Sequence, residues 1–294
     1  MAKKIGYVGL SILAFVAAFA ILNIIQIVAI MPASIKVSLE VTAQGIRDMD
    51  TIQQMTMEAI TPYLPMAVFL SHAGLIICFG LWFYFGCGKP SLKKVNKKDI
   101  FAPKHIVGVI LLAIALGYFM NFLVEILYPY IPDSIVEAFE KVMEQAQFGT
   151  SPLSTFAAVF LAPFSEELIF RGVSFYYAMK AFKEMKNRTV AFWIANAIQA
   201  LLFGILHMNV LQATYAFILG LILGYIAYRF KSIIPSILTH MIYNGLPSYT
   251  LEPIQNVLPE GNTVKIIIVA VSAVIMVVGI IMTKSKESEI LKEA

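Results

Sequence analysis

Apolar residues along this chain fall into long unbroken runs. Windows of ~20 apolar residues, the helical length that crosses a ~30 Å hydrocarbon layer, lie at about 5–31, 63–86, 104–128, 152–179, 189–207, 211–229, 233–249 and 264–283. They predict eight helices, of which 189–207 and 233–249 are the shortest. The run from Ile5 to Met31 is about 27 residues, well beyond the ~7–15 of a secretory signal's apolar stretch, so it reads as a first transmembrane anchor. Two connections are patterned differently. Ser134-x-x-Glu137 after Pro132 is a capping box, and Ile135, Phe139, Val142, Met143 and Ala146 follow it on one face. That pattern predicts a helix lying in the interface plane or capping the bundle. The 34–61 connection has a weaker version in Ile46, Met49, Ile52 and Ile60.

Composition sharpens this into an all-α polytopic membrane bundle. Of 294 residues 59% are hydrophobic and 14% charged, with mean hydropathy +0.80. Soluble domains run near ~45–50% apolar and ~25% charged, so residues 1–294 read as a single integral membrane domain. Basic residues alternate with acidic ones between the windows. Lys3 and Lys4, then Lys89, Lys93, Lys94, Lys97, Lys98 and Lys104, then Lys180, Lys183, Lys186 and Arg188, then Arg229 and Lys231, and last Lys284 and Lys286 all fall on one side. Glu40, Asp48, Asp50, Glu58, Asp133, Glu137, Glu140, Glu144, Glu252 and Glu260 fall on the other. The positive-inside rule makes the basic side cytoplasmic, with both termini there. The net charge of +4 is thereby a topology signal, and no nucleic-acid partner is implied. Cys78 and Cys87 have no second Cys pair or neighbouring His, which argues against a zinc framework or disulfide.

Three motifs carry the candidate chemistry: Glu166-Glu167-x-x-x-Arg171, Phe203-x-x-x-His207 and His240-x-x-x-Asn244. Each lies inside an apolar window, where one charged side chain costs roughly 2.5–3.5 kcal/mol on insertion scales. Glu167 and Arg171 share a helix face at i,i+4 and can pair, leaving Glu166 free as a general base. Pro163 removes a backbone donor just before them and predicts a kink. His240 and Asn244 share a face and can aim donors at one point, while Phe203 can pack against His207 or wall a cavity. Asn121 and Glu125 form a further polar pair that reads as interhelical glue, and His72 and His105 are assigned no role. Glu166, His207 and His240 also make a possible three-ligand zinc set. Two chemistries stay open: a metal-activated water, or a water activated by Glu166 and His207 with His240 and Asn244 as oxyanion donors. Aspartyl G-x-G-D, serine G-x-S-x-G and zincin H-E-x-x-H motifs are absent. Other classes compatible with buried polar residues are a transporter using them as an ion relay, though no repeat is visible, and a non-catalytic immunity or scaffold protein.

In order and spacing, these three motifs resemble the CPBP family, which groups type II CAAX prenyl endopeptidases of the Ras-converting type with bacteriocin-processing and immunity proteins. The resemblance covers roughly residues 150–250, the expected catalytic core. It implies an eight-helix intramembrane endopeptidase with a conical cavity. Glu166 would be the base, His207 would position the water, His240 and Asn244 would stabilise the oxyanion, and Glu167 and Arg171 would support the site. The family is often called a metalloprotease, so Zn2+ is a possible cofactor, and a metal-free glutamate mechanism is also proposed for it. The implied partner is a membrane-associated or lipidated peptide or protein. In the prenyl-processing branch this is a C-terminal Cys-a-a-X segment. The lysine-rich and compact loops have a bacterial style, implying a plasma-membrane location and a peptide leader or membrane-protein segment as substrate.

Overall fold

A computed structural model describes residues 2–88, 97–146, 151–246, 255, 257–258 and 261–284. Among the described residues every regular element is helical. The helices are α1 (Ala2–Gln44), α2 (Met49–Ile60), α3 (Leu64–Trp82, extended by π turns Phe83–Gly88), the single turn α4 (Lys97–Ile100) and α5 (Pro103–Leu127). They continue with α6 (Asp133–Ala146), α7 (Pro152–Ala181), α8 (Arg188–Leu206), α9 (Val210–Phe230), α10 (Ile234–Leu246) and α11 (Asn262–Thr283). Among the described residues seven stretches are long and apolar enough to cross a bilayer. The chain is a multi-pass integral membrane protein built as an all-α bundle.

Seven of the eight windows are these long helices, and the window at 233–249 is the short α10. At 13 residues and ~1.5 Å per residue, α10 reaches about 20 Å, less than a hydrocarbon layer; residues 247–250 lie outside the described residues. The run ending at Met31 is also longer than expected, because α1 continues through Pro32 to Gln44. Of the charges that set the predicted topology, Lys89, Lys93, Lys94, Lys286, Glu252 and Glu260 lie outside the described residues.

Small residues set the closest helix contacts, as expected where no water drives association. Gly108 of α5 and Gly279 of α11 face each other so closely that a Cβ on Gly279 would lie 2.9 Å from the Gly108 carbonyl oxygen. Gly220 of α9 packs on Ala200 of α8 in the same way, with 2.9 Å left for a Cβ. The link between α8 and α9 is the tight turn His207–Asn209, in which Met208 takes φ 53° and Asn209 caps α9 through Gln212 N–H at 3.0 Å. The amphipathic helix α6 packs against α9, with Phe139 edge-on to Tyr215 at 6.4 Å between ring centroids. Both cysteines are free thiols, Cys87 buried and Cys78 exposed.

Candidate active site

The site begins with a break in α7. Pro163 cannot donate a backbone hydrogen bond, and the helix answers with π turns at Ala157–Leu161 and Glu167–Ser174. In the first of these, Ala162 N–H bonds Ala157 O, so the Ala158 carbonyl would fall to residue 163, which has no N–H. Asn244 of α10 supplies the missing donor: its Nδ2 donates to Ala158 O at 2.9 Å. An unpaired carbonyl in a dry interior costs about 1–3 kcal/mol, so this contact ties α10 to α7 where the ladder fails. Turns of π-helix concentrate at functional sites, and this pair flanks Glu166.

Four charged or chargeable side chains converge there. Arg171 Nη1 donates to Glu167 Oε1 at 2.9 Å, with both side chains fully buried. His240 Nδ1 lies 3.0 Å from the same Glu167 oxygen, and its Nε2 lies 3.6 Å from Glu166 Oε2. His240 thus sits between the two carboxylates, oriented by Glu167 and facing Glu166. Arg171 Nη2 also donates to Gly220 O at 3.3 Å. With both glutamates ionised and His240 doubly protonated, the four charges sum to zero. Moving one proton from His240 to Glu166 leaves the sum at zero. A buried group that stays neutral while a proton changes place avoids most of the desolvation cost of an isolated charge.

Phe203 is the apolar centre of the arrangement. Its ring lies 4.5 Å from the Arg171 guanidinium, 5.1 Å from the His207 ring, 5.7 Å from the His240 ring and 5.2 Å from Phe170. His207 caps the end of α8 and sits 3.0 Å from Phe203 O through Nδ1. Among the described residues no hydrogen bond or ion pair joins His207 to either glutamate; it meets the site through the Phe203 ring. By the apolar windows His207 stands near the outer end of its span and His240 nearer the inner end of its own, which implies misplaced boundaries or strongly tilted helices. The α8 boundaries hold to within one residue, at Arg188–Leu206, and so does the start of α10 at Ile234, while residues 247–250 lie outside the described residues. Both imidazoles reach the same ring because the His207 side chain folds back along α8, the usual lean of helical side chains.

Two neighbouring groups escaped the sequence reading. His72 of α3 is buried and lies 2.8 Å from Ser165 Oγ, one residue before Glu166. The signal was its position, a polar residue inside an apolar span, but a single polar residue carries no spacing to decode. Gln199 of α8 donates to Gly220 O at 2.9 Å and to Asn196 Oδ1 at 2.7 Å, so the carbonyl that holds Arg171 has a second donor. Asn121 and Glu125 instead partner each other and α11. Asn121 donates to Glu125 at 2.8 Å, and Glu125 pairs with Lys265 of α11 at 2.9 Å, the interhelical role expected of them.

The proposed zinc ligands can be tested against this geometry. Zinc takes three protein ligands at ~2.0–2.2 Å in a hydrolytic site. Glu166 and His240 are spaced so that both could reach one ion, whereas His207 is turned onto its own helix through Nδ1. Among the described residues no three His, Cys, Asp or Glu side chains form a metal-holding group. In this arrangement the residues do not fit a three-ligand zinc centre.

A multi-pass bundle with paired glutamates, an arginine, two imidazoles and an amide gathered inside it has the make-up of an intramembrane hydrolase. Residues 148–246 match the family model for type II CAAX prenyl endopeptidase Rce1-like proteins. The matched segment, about a third of the chain, holds all three motifs, so over this stretch the chain is similar to a family of membrane-embedded CAAX-type proteases. No curated protein and no solved structure matches the chain.

Proposed function

We propose that the protein hydrolyses a peptide bond of a membrane-associated or lipidated peptide or protein, using a water activated by Glu166. The observation that carries this reading is the relay Glu167–His240–Glu166, at 3.0 Å and 3.6 Å. Glu166 removes a proton from a water held between its carboxylate and the scissile carbonyl. The hydroxide adds to that carbonyl carbon, and the tetrahedral oxyanion is met by the His240 Nε2–H and by the second N–H of the Asn244 amide. The proton on Glu166 then passes to the leaving amine as the C–N bond breaks. Arg171 pairs with Glu167, and Glu167 holds the ring of His240 in place. His207 helps to position the water from the other edge of Phe203. Positioned general bases of this kind contribute ~10²–10⁴-fold.

The test compares the purified protein with Glu166→Ala and His207→Ala on a quenched-peptide library in detergent, with zinc read by elemental analysis on the same samples. Cleavage lost in Glu166→Ala, with fold intact and no zinc at about one per chain, matches the glutamate-activated water. Loss of cleavage together with stoichiometric zinc, falling in both variants, replaces it with a metal-activated water. A folded wild type that cleaves nothing, including membrane-inserted substrates, removes the peptidase reading in favour of a scaffold role.

A further inference from the structure

Beside the site, α3 makes a polar contact that the proposed chemistry does not use. Ser165 Oγ is fully buried and donates to Ala162 O at 2.9 Å. A hydroxyl has one proton to give. Its contact with His72 Nδ1 at 2.8 Å fits an imidazole that donates from Nδ1 while the hydroxyl gives its own proton to the Ala162 carbonyl. On its far side α3 is held against α1. Ser71, next to His72, reaches Leu22 O of α1 at 3.5 Å, and one turn away a Cβ on Gly74 would meet Ile25 of α1 at 2.5 Å. His72 is thus mounted on a helix with no room to back away.

The placement matters because of what Ser165 lacks. It sits between Pro163 and the π turns that start at Glu167, where the ladder that normally fixes side-chain directions is interrupted. We propose that His72 is a positioning residue for Glu166, pinning the Ser165 turn from α3 so that the neighbouring carboxylate stays aimed at His240. Simple interhelical glue would stabilise the bundle without touching turnover, and that difference can be measured. The inference rests on the peptidase reading for its kinetic arm only.

The experiment uses the full-length protein in detergent, with a peptide that the wild type cleaves, and the variants His72→Leu, His72→Asn, His72→Gln and Ser165→Ala. Asparagine places an N–H near the position of Nδ1, whereas glutamine extends past it toward Nε2. The expected result is a kcat lowered ~10- to ~100-fold in His72→Leu with KM within about twofold, recovery in His72→Asn and none in His72→Gln. Ser165→Ala should lower kcat similarly, and the double variant His72→Leu/Ser165→Ala should fall no further than either alone. A second readout needs no cleavage: the labelling rate of Glu166 by dicyclohexylcarbodiimide, followed by mass spectrometry, should change in His72→Leu and return in His72→Asn. Wild-type kcat in a folded His72→Leu, equal rescue by Asn and Gln, or additive losses would each overturn the proposal. If His72→Leu does not fold, the Asn–Gln contrast and Ser165→Ala decide it. If the wild type cleaves nothing, the labelling arm still decides the positioning role, and it is the peptidase reading that fails.

Discussion

Helices α7 and α11 both cross the membrane, and they are built on opposite terms. Among the seven long helices α7 is the least apolar and the most enclosed, while α11 is the most apolar and one of the two most exposed. Every residue from Glu167 to Ser174 in α7 is buried, charged ones included. In α11 only Ser272, Gly279 and Thr283 are buried, and residues such as Val274 stand 64% exposed. In a water-soluble domain the most apolar segment would be at the centre. Here the lipid takes the apolar face at no cost, so the interior is reserved for groups that lipid cannot solvate.

The sharpest way to break that contrast is Glu167→Ala. It strips Arg171 and His240 of their shared acceptor and should destabilise the fold by ~3–5 kcal/mol, read as a lowered unfolding midpoint in detergent. Glu166→Gln keeps the shape of a group that is not fully enclosed, so it should remove activity and leave that midpoint nearly unchanged. Next comes Gly224→Ala, whose methyl would meet the Asn196 and Gln199 amides. An overpacked contact of this kind costs ~1–3 kcal/mol, and the Gln199 bond to Gly220 should be lost with it. Asn244→Leu should cost a similar ~1–3 kcal/mol by leaving Ala158 O without a donor, and Asn244→Gln should not restore it, because the longer chain misplaces the amide. The smallest effect belongs to α11: Val274→Ala should stay within about 0.5 kcal/mol. A loss there as large as for Gly224→Ala would mean that α11 faces protein and that the contrast is wrong.

What the sequence made legible follows the same division. Span positions are set by the lengths of apolar runs, so α8 and α9 lie within a residue or two of their windows. The Glu167–Arg171 pair was legible because i,i+4 neighbours meet on any helix. The contact of His240 with Glu167 was not, since 73 residues separate them and no spacing rule spans that distance. The π turns of α7 were hidden as well. Pro163 announces a disturbance but not its form, and hydropathy does not register whether a carbonyl is paired to the fourth or the fifth residue on. The extension of α1 past Met31 escaped because the run there turns mixed in polarity, with Pro32, Ser34 and Lys36 following, while the helix continues along the bundle's edge. His72 escaped because it stands alone.

The relay also has an order of assembly written into it. Glu167 and Arg171 lie on one helix and can neutralise each other as soon as α7 is made. Glu166 has no such local partner. Synthesis proceeds from the N-terminus, so α7 must enter the bilayer carrying an unanswered carboxylate until α8, α9 and then α10 have followed and delivered His240. Until that moment Glu166 is spared either by protonation or by a helix lodged near the water layer. The last helix of the site therefore sets the pace at which the earlier one can settle to its final depth.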